Sequence, residues 1–100
     1  MHNIFKIVPE RYHSEIKKAV ELLKREGCSE IFIFGSLING DYNEYSDIDI
    51  AVKGLSPDKF FKVIGELLGE LNVPFDLVDL EDNSRFSQRI LKKERLIRIA

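Results

Sequence analysis

Two apolar runs and the short link between them limit what this chain can fold into. Ile31-Phe32-Ile33-Phe34 and Ile48 to Val52 are both β-rich. The segment from Ser36 to Asp47 is too short to carry a full crossover helix, so the two runs are expected to be antiparallel neighbours in a mixed sheet. The first run is apolar on both parities, as in a strand buried on both faces. The second carries acids on alternate residues. Asp47 and Asp49 share one face, roughly 6–7 Å apart at the backbone from a rise of ~3.3 Å per residue. Ile48, Ile50 and Val52 point to the opposite face, into the core.

Helical patterns surround these strands. After Pro9, Tyr12, Ile16, Ala19, Val20 and Leu23 recur at helical spacing, and Gly27 is placed to end that helix. Met1 to Val8 reads as a loosely attached arm. Ser56-Pro57-Asp58 is a strong helix start, followed by an apolar face of Phe60, Phe61, Ile64, Leu67, Leu68 and Leu71. Phe75 to Leu80 is a third strand. A last helix is expected from about Ser84 to Lys93, with Phe86, Ile90 and Leu91 facing inward. Leu96 to Ile99 reads as a helical tail or an edge strand. The expected architecture is an α/β (α+β) sandwich, one small mixed β-sheet flanked by helices, in a single domain over residues 1–100.

Composition narrows the function classes. The net charge of −2 gives no global basic field, so nucleic acid is not an expected partner, and an anionic substrate needs a local device. The run from Arg89 to Arg98, with Lys92, Lys93 and Arg95, reads as a solvated helix face; its functional alternative is a patch for nucleic acid or an acidic partner. One cysteine, Cys28, forms no internal disulfide and reads as structural. No apolar run approaches the ~20 residues that span a bilayer, and no signal pattern opens the chain, so the expected location is the cytoplasm, with no membrane partner. His2 and His13 lack ligand partners at useful spacing and are assigned no role.

The chemistry is concentrated in Phe34 to Val52. Gly35 lets a phosphate approach the backbone without a Cβ in the way. The Ser36 hydroxyl and nearby N–H groups can bond phosphate oxygens. Gly40 shapes the far end of that turn. Asp47 and Asp49 are hard oxygen ligands suited to Mg²⁺, and two-ion phosphoryl-transfer sites need bridging carboxylates. Tyr42 and Tyr45 are expected to pack over the loop.

Gly35-Ser36 followed by Asp47-Ile48-Asp49 resembles the signature of the polymerase-beta-like nucleotidyltransferases. In its length the chain is similar to the minimal nucleotidyltransferases that are antitoxin-type partners of HEPN-domain proteins. Phe75-Asp76-Leu77-Val78-Asp79 resembles the later strand on which such enzymes carry a third carboxylate. The resemblance implies the polymerase-beta-like fold, Mg²⁺, and transfer of a nucleoside monophosphate, AMP from ATP, to an acceptor hydroxyl on a HEPN toxin. It implies Gly35 and Ser36 as nucleotide-binding residues together with Asp47 and Asp49. Asp47, Asp49 and Asp76 would be the catalytic and metal-binding acids. Asp76 and Asp79 are three apart and point to opposite faces, so only one can join Asp47 and Asp49. The resemblance favours Asp76, and its place early in the strand, where a buried acid needs a reason, agrees. Asp79 is expected to reach water or the turn at Asp82 and Asn83.

One departure is visible. Relatives often carry arginines after Gly-Ser, whereas this loop reads Leu37-Ile38-Asn39-Gly40-Asp41, without a base. Two functions follow: an active transferase, or a non-catalytic antitoxin that neutralises its partner by contact. Either implies a homo- or hetero-oligomer, because there is no room for a separate acceptor-binding domain. The expected contact surface is apolar, around Leu96, Ile97 and Ile99.

Overall fold

The computed structural model describes residues 4–100; His2 lies outside them. Four strands, β1 (Glu30–Phe34), β2 (Ile48–Lys53), β3 (Phe75–Asp79) and β4 (Ile97–Arg98), form one sheet in the order β3-β2-β1-β4. β1 runs antiparallel to both β2 and β4, and β2 runs parallel to β3, so the sheet is mixed as its short first link requires. The helices are α1 (His13–Arg25), α2 (Ser36–Asn39), α3 (Phe60–Glu70) and α4 (Arg85–Lys93).

The sheet is covered on both faces. Ile31, Ile33, Ile48, Ile50 and Val52 pack with Ile16, Leu22 and Leu23 of α1 and Val63 and Leu67 of α3. On the other face Phe34, Ala51, Val78, Leu80 and Ile90 of α4 make a smaller cluster, with Phe32 and Leu96 against it. Burying each large aliphatic side chain contributes about 1.5–3 kcal/mol, so the two clusters supply most of the drive to fold. No helix among the described residues is long and apolar enough to cross a membrane.

Local signals close the helices. After α1 the Gly27 N–H donates to the Lys24 carbonyl and the Cys28 N–H to the Leu23 carbonyl, both at 3.1 Å, with Gly27 at φ +101°. This is the two-bond left-handed cap that glycine favours. At the start of α4 the Ser84 hydroxyl accepts from the Ser87 N–H at 3.0 Å. Cys28 is buried, and that burial, with the charges of Asp79 and Glu26, pushes its thiol up to about 11, so it is an unreactive packing residue.

Several expectations need correction. Met1 to Asn3 of the expected arm lie outside the described residues; from Ile4 on it is not loose: Ile4 and Val8 are core residues, Ile4–Lys6 is a 3₁₀ turn, and His13 Nε2 lies 2.8 Å from the Val8 carbonyl. In α3, Val63 and Leu67 turn inward, while Phe61 is 82% exposed and Leu68 67%. The expected apolar stripe was too wide for one helix to bury against one sheet. In α4, Ser87 and Ile90 face inward, whereas Phe86 is 60% exposed and Leu91 44%. The cap at Ser84 sets this rotation, because it pulls Ser87 under the helix start. The C-terminal end is an edge strand and not an exposed apolar surface: Ile97 is buried, and Ile31 bonds both Ile99 and Ala100 through the backbone.

Gly27 and Gly65 offer a test with opposite signs. A Cβ at either position meets nothing within 4 Å, so backbone conformation alone decides the effect. Gly27→Ala should lower unfolding free energy by roughly 1–2 kcal/mol in urea titration, the cost of a left-handed non-glycine. Gly65→Ala, inside α3, should raise it by roughly 0.5–1 kcal/mol.

Candidate active site

The register of β1 against β2 places Phe34 opposite Asp49. The next residue, Gly35, turns the chain at φ +78° and ψ −153°, and the Asp49 carboxylate lies against its Cα. A Cβ here would overlap Asp49 Oδ2 and sit 2.9 Å from its Cγ, so only glycine lets the acid occupy this place. Gly35 is the N-cap of α2. The Ile38 and Asn39 N–H groups both donate to its carbonyl, at 3.0 and 2.9 Å. The N–H groups of Ser36 and Leu37 have no acceptor among the described residues, and the Ser36 side chain does not cap the turn. Leu37 and Ile38 are buried in the main core, and Gly40, at φ +89°, ends the turn. Leu37 and Ile38 thus fasten the loop to the core.

Asp47 lies just before β2 and Asp49 within it, and Ile48, Ile50 and Val52 point away into the core as expected. In the parallel pair β2–β3, Asp49 is directly opposite Asp76. Asp76 is therefore on the acid side of the sheet. Asp79 is on the other side: its charge acts on Cys28, and its Oδ1 accepts the Glu81 N–H at 2.9 Å. The burial argument that favoured Asp76 is reversed. Asp76 is exposed and Asp79 is buried at 8%, because β3 is an edge strand whose outer end opens to water while its far end passes under the core.

Electrostatics mark the corner. Burial, then the charges of Asp76 and Asp47, push the Asp49 carboxyl up to about 6, helped by a side-chain hydrogen bond with Asp76 and the charge of Glu94. No ion pair among the described residues involves Asp47, Asp49 or Asp76. Among those residues, no group of three or more His, Cys, Asp or Glu side chains is gathered closely enough to hold an ion as they stand. The donor set still fits a hard divalent cation: every donor is a carboxylate oxygen, and the acids lack a positive partner.

Sequence reasoning missed three neighbours. Glu94, just past α4, reaches this corner through the fold. The Tyr12 hydroxyl donates to the Ser46 carbonyl at 2.8 Å, and Arg11 donates to the Asn43 carbonyl at 2.9 Å, so the start of α1 holds the loop that delivers Asp47. Only the Asx-type bonding of that loop, Asn43 Oδ1 accepting the Tyr45 N–H at 2.7 Å, was a local signal. Tyr45 does not pack over the loop: it is 79% exposed, beside a cleft of about 340 Å³ also lined by Arg11, Val73 and Pro74.

A small mixed sheet with a Gly-Ser turn and acids on two adjacent strands defines a nucleotidyl-transfer class of fold. The chain belongs to the polymerase beta nucleotidyltransferase family, whose model matches residues 17–99. It is similar to solved toxin–antitoxin structures. One, a toxin–antitoxin with AMP-PNP, is 29% identical with a TM-score of 0.62, over 80% of this chain and 69% of that one. Another, the toxin–antitoxin MntA–HepT, is 26% identical with a TM-score of 0.58, over 84% and 69%. A third is the tri-AMPylated Shewanella oneidensis HEPN toxin in complex with the MNT antitoxin, at 27% identity and TM-score 0.57, over 84% and 69%. No curated protein matches the chain.

The raised Asp49 predicts a pH signature in metal-free protein. Its folded pKa lies above the unfolded value near 4, so the folded state binds more protons between pH ~4 and ~6, and stability falls as pH rises through that window. With partial solvent screening the loss is roughly 1–2 kcal/mol. Urea titrations in chelator should show Asp49→Asn abolishing this part of the slope and exceeding the parent in stability at pH 7.

Proposed function

We propose that this chain is a Mg²⁺-dependent nucleotidyltransferase that moves AMP from ATP to an acceptor hydroxyl on a HEPN-domain partner, and thereby acts as its antitoxin. The observation that carries this reading is the close pass of Gly35 under Asp49, with Asp76 directly opposite on the next strand. It sets the free N–H groups of Ser36 and Leu37 beside three acids that form no ion pair among the described residues. Family membership and the likeness to toxin–antitoxin structures, one with an ATP analogue and one with an AMPylated toxin, support it.

In this reading the Ser36 hydroxyl and the free N–H groups of Ser36 and Leu37 donate to phosphate oxygens of the nucleotide. Asp47, Asp49 and Asp76 are the residues that would hold the metal, which would supply neutralisation of phosphate charge during the in-line displacement. The acceptor oxygen attacks the α-phosphorus, the bond to pyrophosphate breaks, and Asp76, exposed to the acceptor side, takes the hydroxyl proton. Asp79 stays outside the chemistry, on the opposite face. The structural unit that does this is a single domain.

A second reading rests on one specific observation: the loop from Ser36 to Asp41 has no base, and its apolar residues are buried. A non-catalytic antitoxin that binds its partner by contact would need no triphosphate grip. Incubation with labelled ATP, Mg²⁺ and the HEPN partner separates the two. Label on the partner is expected; a tight complex without label would mean the contact-only module.

In that assay Asp47→Asn, Asp49→Asn and Asp76→Asn should each remove transfer while the protein stays folded. Asp79→Asn should retain transfer and cost a little stability. Ser36→Ala should slow turnover or weaken nucleotide binding by roughly 10- to 100-fold, as for a lost hydrogen bond to a charged group. Near-normal transfer in any of the three acid variants under saturating Mg²⁺ would contradict the assignment.

A further inference from the structure

The outer face of α4 carries Arg85, Arg89, Lys92 and Lys93, all exposed. None of these cations has an ion pair or side-chain hydrogen bond among the described residues. Lys18, Lys59, Lys62 and Arg98 elsewhere each face a carboxylate. Lys92 and Lys93 lie in the last turn, where the helix dipole favours cations, but the rest of the arrangement works against the helix. Arg85 is its first residue, at the positive end of the dipole, and no acid occupies the first turn. Arg85, Arg89 and Lys93 follow at four-residue steps, where like charges repel. A net charge of −2 makes this a local concentration against the sign of the whole chain.

The face is also shaped. Two adjoining grooves, of about 220 and 300 Å³, share Arg85 and Arg89 as walls. Gln88 lies in the first and Phe86 in the second. Phe86, 60% exposed, stands outside the core and lines the second groove together with Arg85 and Arg89.

We propose that this face of α4 docks single-stranded nucleic acid. Its cations, repeating about every 6 Å along the helix, follow a phosphate backbone. An unpaired base stacks on Phe86, with the guanidinium planes of Arg85 and Arg89 beside it. An acidic protein surface could also answer the cations, but the groove that holds Phe86 is otherwise lined by Arg85 and Arg89, with no second apolar side chain to seat a protein's apolar anchor, which favours a stacked base between charged walls. The proposal is independent of the transferase reading, since none of these residues belongs to the acid corner.

The test is fluorescence anisotropy of the full chain with labelled mixed-sequence single-stranded RNA, the matching DNA, and a labelled poly-glutamate peptide, over a salt series. Either oligonucleotide should bind, with affinity falling as salt rises. The double variant Arg85→Gln, Arg89→Gln should weaken binding at least ~10-fold and flatten the log–log salt slope by about 1–2. Phe86→Ala should weaken oligonucleotide binding about 10-fold with the slope unchanged. Thermal unfolding should show both variants folded, the charge variant slightly stabilised. Poly-glutamate binding as tight as the oligonucleotides, unaffected by Phe86→Ala, would make an acidic protein the occupant and overturn the proposal. So would the lack of oligonucleotide binding at low salt, or binding unchanged in the charge variant.

Discussion

The antiparallel register of β1 and β2 puts Phe34 opposite Asp49, and Gly35 then passes beneath the Asp49 carboxylate. Much follows from that contact. Without a side chain at residue 35 the acid can sit half-buried at the strand end, and the chain can turn at once into α2. Leu37 and Ile38 fix the turn from below, so the Ser36 and Leu37 N–H groups stay free on its outer side. The parallel pairing of β2 with β3 then adds Asp76 on the same side as Asp49. A slip of one residue in either pairing would turn an acid toward the core and bring an apolar side chain into the corner.

Charge is distributed unevenly, and the contrast is informative. Where a charge is structural, the fold gives it partners. Glu15 is buried on α1, and burial alone would raise its pKa. Its carboxyl is instead held below the ordinary range by Lys18 and by the Asn72 N–H, which it accepts at 2.9 Å. It thereby ties α1 to the turn after α3. The acids at the sheet corner and the cations on α4 lack such partners. The crowded acids, and Arg85 at the positive end of α4, cost stability in the isolated chain, which the two apolar clusters offset. Unpaired charge of one sign at a defined place is what a site for a cation, or for a phosphate, requires.

The N-terminal segment and the edge strands show how the sheet is finished. Ile4 and Val8 close the core beside α1, and His13 and Phe5 meet edge to face at 4.8 Å. β4 covers the outer side of β1, while the other edge, β3, presents Asp76 to water. A carboxylate on an exposed edge also discourages unwanted strand pairing.

The sequence by itself determined the features set over a few residues. The cap at Gly27, the start at Ser84, the parity of Asp47 and Asp49 against Ile48, Ile50 and Val52, and the antiparallel first link all follow from local geometry or from a link too short for the alternative. Only the tertiary structure decided which of two eligible faces is covered. Periodicity placed Phe86 with Ile90 and Leu91, and Phe61 with Leu68, but a face is buried only if a neighbour packs on it. Parity likewise separated Asp76 from Asp79, but the expectation that Asp79 would be the wet one was reversed by how β3 packs at the sheet edge. Glu94 and Arg11 join their neighbours across long stretches of chain, through packing that no local pattern encodes.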